Sequence, residues 1–184
     1  MSTKIDMLSL LPALDWTYED RNTCQEIVRG VWLGPRSVGK QSSLITELGL
    51  TDIVLVRSVH EESMLRPLFP EFRYHVIEME DNGIFSHQKI YSDFVSKIQS
   101  GVWLVIGLTG MNRSASLLAA LLMRTHNMSL TAAVDYLATR RRCACISPSL
   151  KRQLAEFEIG TIKISDHCSV NRVKRVRDPS SLIR

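Results

Sequence analysis

Apolar positions along this chain switch between two rhythms, dense runs of four to six residues and longer stretches in which every third or fourth position is apolar. The run Ile27-Val28-Arg29-Gly30-Val31-Trp32-Leu33-Gly34, closed by Gly34-Pro35, predicts a strand pair or a bent strand around Gly30. Asp52-Ile53-Val54-Leu55-Val56, Arg73-Tyr74-His75-Val76-Ile77-Glu78 and Val102-Trp103-Leu104-Val105-Ile106 predict three further strands. Helical spacing fills the gaps. A Ser- and Lys-containing helix is expected from Lys40 to Leu48, and Ser86 is placed to cap a helix whose stripe is Ile90, Phe94, Val95 and Ile98. An apolar helix follows from Ser114 to about His126, with Leu117, Leu118, Leu121 and Leu122 as core. Ser129 opens the next, with Leu130, Ala133, Val134 and Leu137 inward, and Ser147-Pro148 opens the last, with Leu150, Leu154 and Phe157 inward.

Short strands alternating with helices predict an α/β domain with a largely parallel central sheet, in which ligands sit outside the carboxyl ends of strands. One domain over residues 26–159 is expected, preceded by an arm (1–25) that Trp16 and Tyr18 pack onto it and followed by a polar, basic, mobile tail (160–184). Composition changes little in this picture. A 45% hydrophobic, 23% charged chain with a net charge of +4 is that of a globular protein with a real core. The one apolar window long enough to span a membrane, Val102 to Met123, is interrupted by Gly107, Gly110, Asn112 and Arg113, and no secretory signal opens the chain. A soluble intracellular protein without membrane contact is the expectation. Cys24, Cys143, Cys145 and Cys168 form neither a CxxC pair nor a zinc spacing and are expected as thiols. His60, His75, His87, His126 and His167 share no ligand spacing, so neither metal nor cofactor is expected. The basic clusters Arg140-Arg141-Arg142, Lys151-Arg152 and the tail Arg172, Lys174, Arg175, Arg177 read first as solvated faces, and only second as contacts for nucleic acid, an import receptor or an acidic protein.

Chemistry concentrates in Gly107-Leu108-Thr109-Gly110-Met111-Asn112-Arg113-Ser114, which joins a predicted strand to a predicted helix. Such a turn points successive backbone N–H groups and the positive helix end at one small volume. The amides of Leu108, Thr109, Gly110, Met111, Asn112 and Arg113 and a bidentate Arg113 guanidinium are therefore expected to hold phosphate, with the Ser114 hydroxyl supporting the turn.

The same residues carry a resemblance. Protein tyrosine and dual-specificity phosphatases use His-Cys-x-x-Gly-x-x-Arg-Ser, which places Gly110, Arg113 and Ser114 on its Gly, Arg and Ser, Ile106 on the His and Gly107 on the Cys. Asp15-Trp16-Thr17-Tyr18, Gln25-Glu26-Ile27 and Gly30-Val31-Trp32-Leu33-Gly34-Pro35 resemble the N-terminal region of the Styx-like, serine/threonine/tyrosine-interacting pseudophosphatases, and the likeness runs from about Asp15 to Glu158. It implies a dual-specificity-phosphatase-like fold with a mostly parallel mixed sheet flanked by helices. It also implies no catalytic residue at Gly107, a vestigial general acid at Asp81, phosphorylated proteins or mitogen-activated protein kinases as partners, and a location in nucleus and cytoplasm.

From chemistry alone, a thiolate must form the phosphoenzyme and Gly107 offers no nucleophile. From the residues alone, Asp81-Asn82-Gly83 reads first as an Asx-type turn and only second as a general-acid position. Ile106, Leu108, Met111 and Asn112 make the loop unusually apolar, and Cys143-Ala144-Cys145-Ile146-Ser147-Pro148-Ser149 replaces an Asn-Pro-Asn-like brace, so a collapsed cleft is one expectation. Three readings stay open: a phosphate-binding pseudophosphatase, a scaffold with a vestigial loop that works through surfaces such as Arg140 to Arg142, and a weakly active phosphatase.

Overall fold

The computed structural model describes residues 16–83, 86–98 and 100–159, and the expected tail (160–184), Cys168 and His167 lie outside them. Five strands, β1 (Gln25–Val28), β2 (Val31–Pro35), β3 (Asp52–Arg57), β4 (Arg73–Glu78) and β5 (Trp103–Gly107), form one sheet in the order β1-β2-β5-β3-β4. Strand β1 runs antiparallel to β2, turning at Gly30 with φ +79°, and every other pairing is parallel. The expected mixed, mostly parallel sheet is thus observed.

Because β5 lies at the centre, all five of its residues are buried, and its side chains alternate between two cores. Val105 joins Val54, Val56 and the helices α3 (Gln88–Lys97), α4 (Arg113–Thr125) and α5 (Leu130–Arg140), while Leu104 and Ile106 pack with Val38, Ile45, Ile53, Leu55 and Leu65 on the other face. The second core contains α2 (Ser42–Glu47). Helix α4 is buried from Ser114 through Met123, which is why its sequence is apolar all round. A last helix, α6 (148–159), buries Leu150, Leu154 and Phe157, and its first turn is capped by the Ser147 hydroxyl accepting from Leu150 N at 3.3 Å.

Two local expectations fail for tertiary reasons. Ser86 does not cap α3. The cap position is His87, whose side chain makes no cap bond, and whose place is fixed by its own N–H donating to Gln153 Oε1 (2.7 Å) and its ring Nε2 bonding Glu80 O (2.7 Å). Tyr18 does not pack onto the domain either, being 76% exposed, while Trp16 is half-buried. Residues 1–15 lie outside the described residues, and the described part of the arm, residues 16–25, instead contains a short helix, α1 (Tyr18–Asn22), started by a Thr17–Asp20 capping box. Its attachment to the domain runs through Arg141.

Candidate functional site

The turn between β5 and α4 opens on a cleft of about 460 Å³, lined by residues 107–114 together with Ser58, Glu80, Asp81 and Asn82. The cleft has not collapsed, although Leu108 and Met111 are only half-buried at its wall. Its shape follows from where the loop carbonyls go. Leu108 O accepts from Arg36 N (3.4 Å), Thr109 O from Arg141 Nη2 (3.2 Å), Gly110 O from Arg141 Nε (2.8 Å) and Met111 O from Cys145 N (2.8 Å). In a planar trans peptide the N–H points opposite the C=O, and no peptide here is cis. Four carbonyls drawn toward the protein therefore turn the N–H groups of Thr109, Gly110, Met111 and Asn112 the other way. At the end of this row α4 begins without a side-chain cap, leaving its first amides and its positive dipole end available to an anion.

Arg141 was grouped by sequence with solvated arginines, and the structure corrects this. It is 1% exposed, and its guanidinium is enclosed by oxygen: Thr109 O and Gly110 O from the loop, Asp20 O, Arg21 O and Thr23 O from the end of α1, and Gln25 Oε1. Five planar donors suit so many acceptors, and three of the carbonyls belong to the negative end of a short helix. Arg140 and Arg142 are exposed, so the cluster is not one surface. The expected weakening of the brace at 143–149 is also corrected, because backbone and hydroxyl groups there take over the work through Cys145 N and Ser147.

Asp81 enters the cleft as expected, but both its oxygens are engaged across it. Oδ2 accepts from Asn112 Nδ2 (2.5 Å) and Oδ1 from Ser147 Oγ (2.7 Å), while Ser147 N donates back to Asn112 Oδ1 (2.8 Å). This closed ring ties the Asp81 turn to the loop and to the start of α6. The carboxylate therefore braces the loop, which is a different use from the Asx turn its sequence suggests.

Arg113 is held from the other side. Its Nη2 donates to Glu61 Oε1 at 2.6 Å and its Nη1 to Met79 O at 3.3 Å. Glu61 reaches it from a single 3-10 turn, Val59–Glu61, fixed by a Ser58/Glu61 capping box. Buried Arg57 anchors that segment through Leu65 O, Glu62 and Glu78. The pair holds the guanidinium at the rim of the cleft with Nε and one hydrogen on each terminal nitrogen unused by these bonds. Glu61 and Arg57 were not read from the sequence, although Ser58-x-x-Glu61 has capping-box spacing and was legible as such.

Burial raises the Glu61 carboxyl, but the Arg113 hydrogen bond and charge and the Ser58 amide outweigh it and hold it below its ordinary 4.5. A depressed folded value means the ionised pair contributes stability above the unfolded value that is lost as pH falls through the folded one. Glu61→Gln is expected to flatten the acid limb of the urea midpoint against pH below about 5. An unchanged slope would show that the pair is not its source.

Gly107 ends β5 at the floor of the cleft and carries no side chain. A Cβ built on it would stand 2.7 Å from Ser114 Oγ and 3.6 Å from Gly110 N. The Ser114 hydroxyl is buried with no hydrogen-bond partner among the described residues, so it leans into the volume a residue-107 side chain would enter. Ile106 is wholly buried on the opposite face of the sheet among aliphatic side chains and does not reach the cleft. Cys24, Cys143 and Cys145 are free thiols, and burial pushes the first two above the ordinary thiol value. No group of three or more metal-ligating side chains occurs among the described residues, and no helix among them is long and apolar enough to cross a membrane.

A strand-loop-helix turn of this form on this sheet is the arrangement of a phosphatase-type domain, and the chain belongs to the family of dual specificity phosphatase catalytic domains, whose model matches residues 31–159. Within that family it is similar to the serine/threonine/tyrosine-interacting protein of Homo sapiens, at 33% identity over 154 residues, 79% of this chain and 69% of that protein. The crystal structure of human tyrosine phosphatase-like serine/threonine/tyrosine-interacting protein superposes with a TM-score of 0.74 at 29% identity, covering 77% of this chain and 99% of that one. The likeness is not confined to that type. The dual specificity protein phosphatase 1 of Arabidopsis thaliana is 30% identical over 156 residues, 82% of this chain and 76% of that protein. Family membership alone therefore leaves activity to be argued from the site.

Proposed function

We propose that the protein is a catalytically inactive member of this family that binds phosphorylated proteins or signalling kinases of the mitogen-activated type, and regulates them by sequestration or competition in nucleus and cytoplasm. The observation that carries the reading is the pairing of four outward-bonded loop carbonyls with an empty side-chain position at Gly107. The loop keeps the donors that hold a phosphate and lacks the group that would take the phosphoryl. Glycine also leaves no thiolate beside a dianionic ligand, which favours binding of the ground state.

Titration with a phosphotyrosine or phosphothreonine peptide tests this. Binding is expected for the parent chain and is expected to fall about tenfold or more in Arg113→Ala, the loss of a charge-assisted contact. No binding by the parent would favour the scaffold reading, which the engagement of Arg113 by Glu61 also favours. Turnover of a generic aryl phosphate by the parent, abolished by Arg113→Ala, would overturn the inactive reading in favour of a weak phosphatase.

Gly107→Cys is expected to give slow but measurable aryl-phosphate turnover once the Ser114 hydroxyl rotates away, and Gly107→Cys/Ser114→Ala is expected to exceed it in kcat. An inert pair of variants would show that the cradle does not place phosphorus over residue 107. Adding Ile106→His, which the family pattern suggests as a further gain, instead buries an imidazole among Val38, Ile45 and Leu55 and is expected to cost stability.

A further inference from the structure

The hydroxyls around the main cleft are committed to the fold, with one exception. Ser116 Oγ donates to Arg113 O (2.8 Å) and accepts from Tyr91 Oη (3.4 Å), the Ser58 side chain caps its 3-10 turn, and Ser147 Oγ donates to Asp81. Ser114 differs. It is 1% exposed in the first turn of α4, and its Oγ is buried with no hydrogen-bond partner among the described residues. The sequence suggested that this hydroxyl supports the turn, but no bond of that kind is present.

Its direction is fixed by the loop. A Cβ on residue 107 would stand 2.7 Å from Ser114 Oγ and 3.6 Å from Gly110 N, whose N–H is among those turned toward the cleft. The hydroxyl therefore lies beside the line along which a residue-107 side chain would project, at the floor of the cleft and next to the uncapped end of α4. Gly107 sends no side chain along that line. The space is left to whatever the cleft holds.

We propose that Ser114 is a direct ligand contact in this chain, its hydroxyl donating to a phosphate oxygen that seats at the floor of the cleft in the space a residue-107 side chain would take. The inference rests on the phosphate-binding reading and adds to its row of amides a side-chain donor and a deeper seat for the phosphoryl group. A buried hydroxyl without a partner carries a desolvation cost, and a bond to an anion recovers it more fully than a bond to a neutral acceptor. Arg113 already gives two donors to Glu61 and Met79 O, so a further donor beneath the phosphate matters more here. Ser114 thus stabilises the complex rather than the free chain.

That difference sets the test. A labelled phosphotyrosine peptide is titrated by fluorescence anisotropy, and competed with inorganic phosphate, against the full chain, Ser114→Ala, Gly107→Ala and the double variant, with a urea midpoint measured for each. Ser114→Ala is expected to weaken both ligands about tenfold while the urea midpoint stays at or above the parent's, since no internal hydrogen bond is lost. Gly107 has no positive φ, so alanine is not strained there, and its methyl displaces the hydroxyl and fills the seat. Gly107→Ala is therefore also expected to weaken both ligands about tenfold. Adding Ser114→Ala to it is expected to change affinity by less than about threefold, because both substitutions remove one interaction. Unchanged affinity in Ser114→Ala, or losses that multiply in the double variant, overturns the contact and leaves the amide cradle standing. A loss of affinity accompanied by a lower urea midpoint assigns Ser114 to the turn and overturns it as well. If the parent binds neither the peptide nor inorganic phosphate, the phosphate-binding reading fails and takes the contact with it.

Discussion

Replacing Gly110 by alanine is expected to cost about 3 kcal/mol or more of folding stability, because two separate penalties meet at one atom. Gly110 has φ +67°, in the left-handed region where a Cβ alone costs about 1–2 kcal/mol. A Cβ there would also stand 2.5 Å from both Gly34 C and Gly34 O and 2.9 Å from Pro35 N. These are backbone atoms of β2, a strand held by β5, so nothing at the contact can swing away. Gly49 supplies the control, with φ +65° and nothing within 4 Å of its built Cβ. Gly49→Ala carries only the conformational penalty and is expected to cost about 1 kcal/mol. Urea denaturation of both variants separates the terms. Equal losses would mean that the loop moves off β2 at little cost, and that its shape is not set by this contact.

The second large effect is at Arg141. Arg141→Met keeps much of the side-chain volume but leaves the carbonyls of Asp20, Arg21, Thr23, Thr109 and Gly110 without their buried donor. Each buried acceptor left without its donor costs about 1–3 kcal/mol, and across these carbonyls a destabilisation of about 3–5 kcal/mol is expected. Arg141→Lys is expected to recover less than half of it, since an ammonium has three donors on one point and cannot span α1 and the loop together. Arg142→Ala, on the exposed neighbour, is expected within about 0.5 kcal/mol of the parent.

A functional consequence is separable from the loss of stability. With Thr109 O and Gly110 O released, their peptides are free to rotate and the row of inward amides loses its orientation. Phosphopeptide affinity of Arg141→Lys is therefore expected to fall by tenfold or more at temperatures where the variant is fully folded by circular dichroism, about the worth of one charge-assisted contact. Unchanged affinity in a folded Arg141→Lys would show that the loop holds its form without the arginine.

Much of the fold was legible along the chain because the strands and helices are locally consistent. Arg73 to Glu78 reads as a strand by its β-branched and aromatic content and is one, and the apolar stretch from Ser114 has the length and periodicity of a buried helix. The loop was legible through Gly110, Arg113 and Ser114 at family spacing. The failures cluster where a polar side chain spends its donors far away in sequence. Ser86 had a cap's chemistry, but Gln153, from α6, set the start of α3 one residue later. Asp81 had a turn's chemistry, but Asn112 and Ser147 claimed both its oxygens.

The sequence by itself determined the alternation of strands and helices, the position of the loop between β5 and α4, and the absence of a nucleophile at Gly107. These depend on residue type and on neighbours within a turn or two. Only the tertiary structure decided that the cleft is open and that Arg113 is held at its rim by Glu61. It alone turned the middle of three consecutive arginines inward to hold the loop. Sequence cannot assign that inversion, because Arg140, Arg141 and Arg142 are chemically identical. What distinguishes them is the set of carbonyl oxygens, from residues 20 to 25 and 109 to 110, that folding gathers around one of the three.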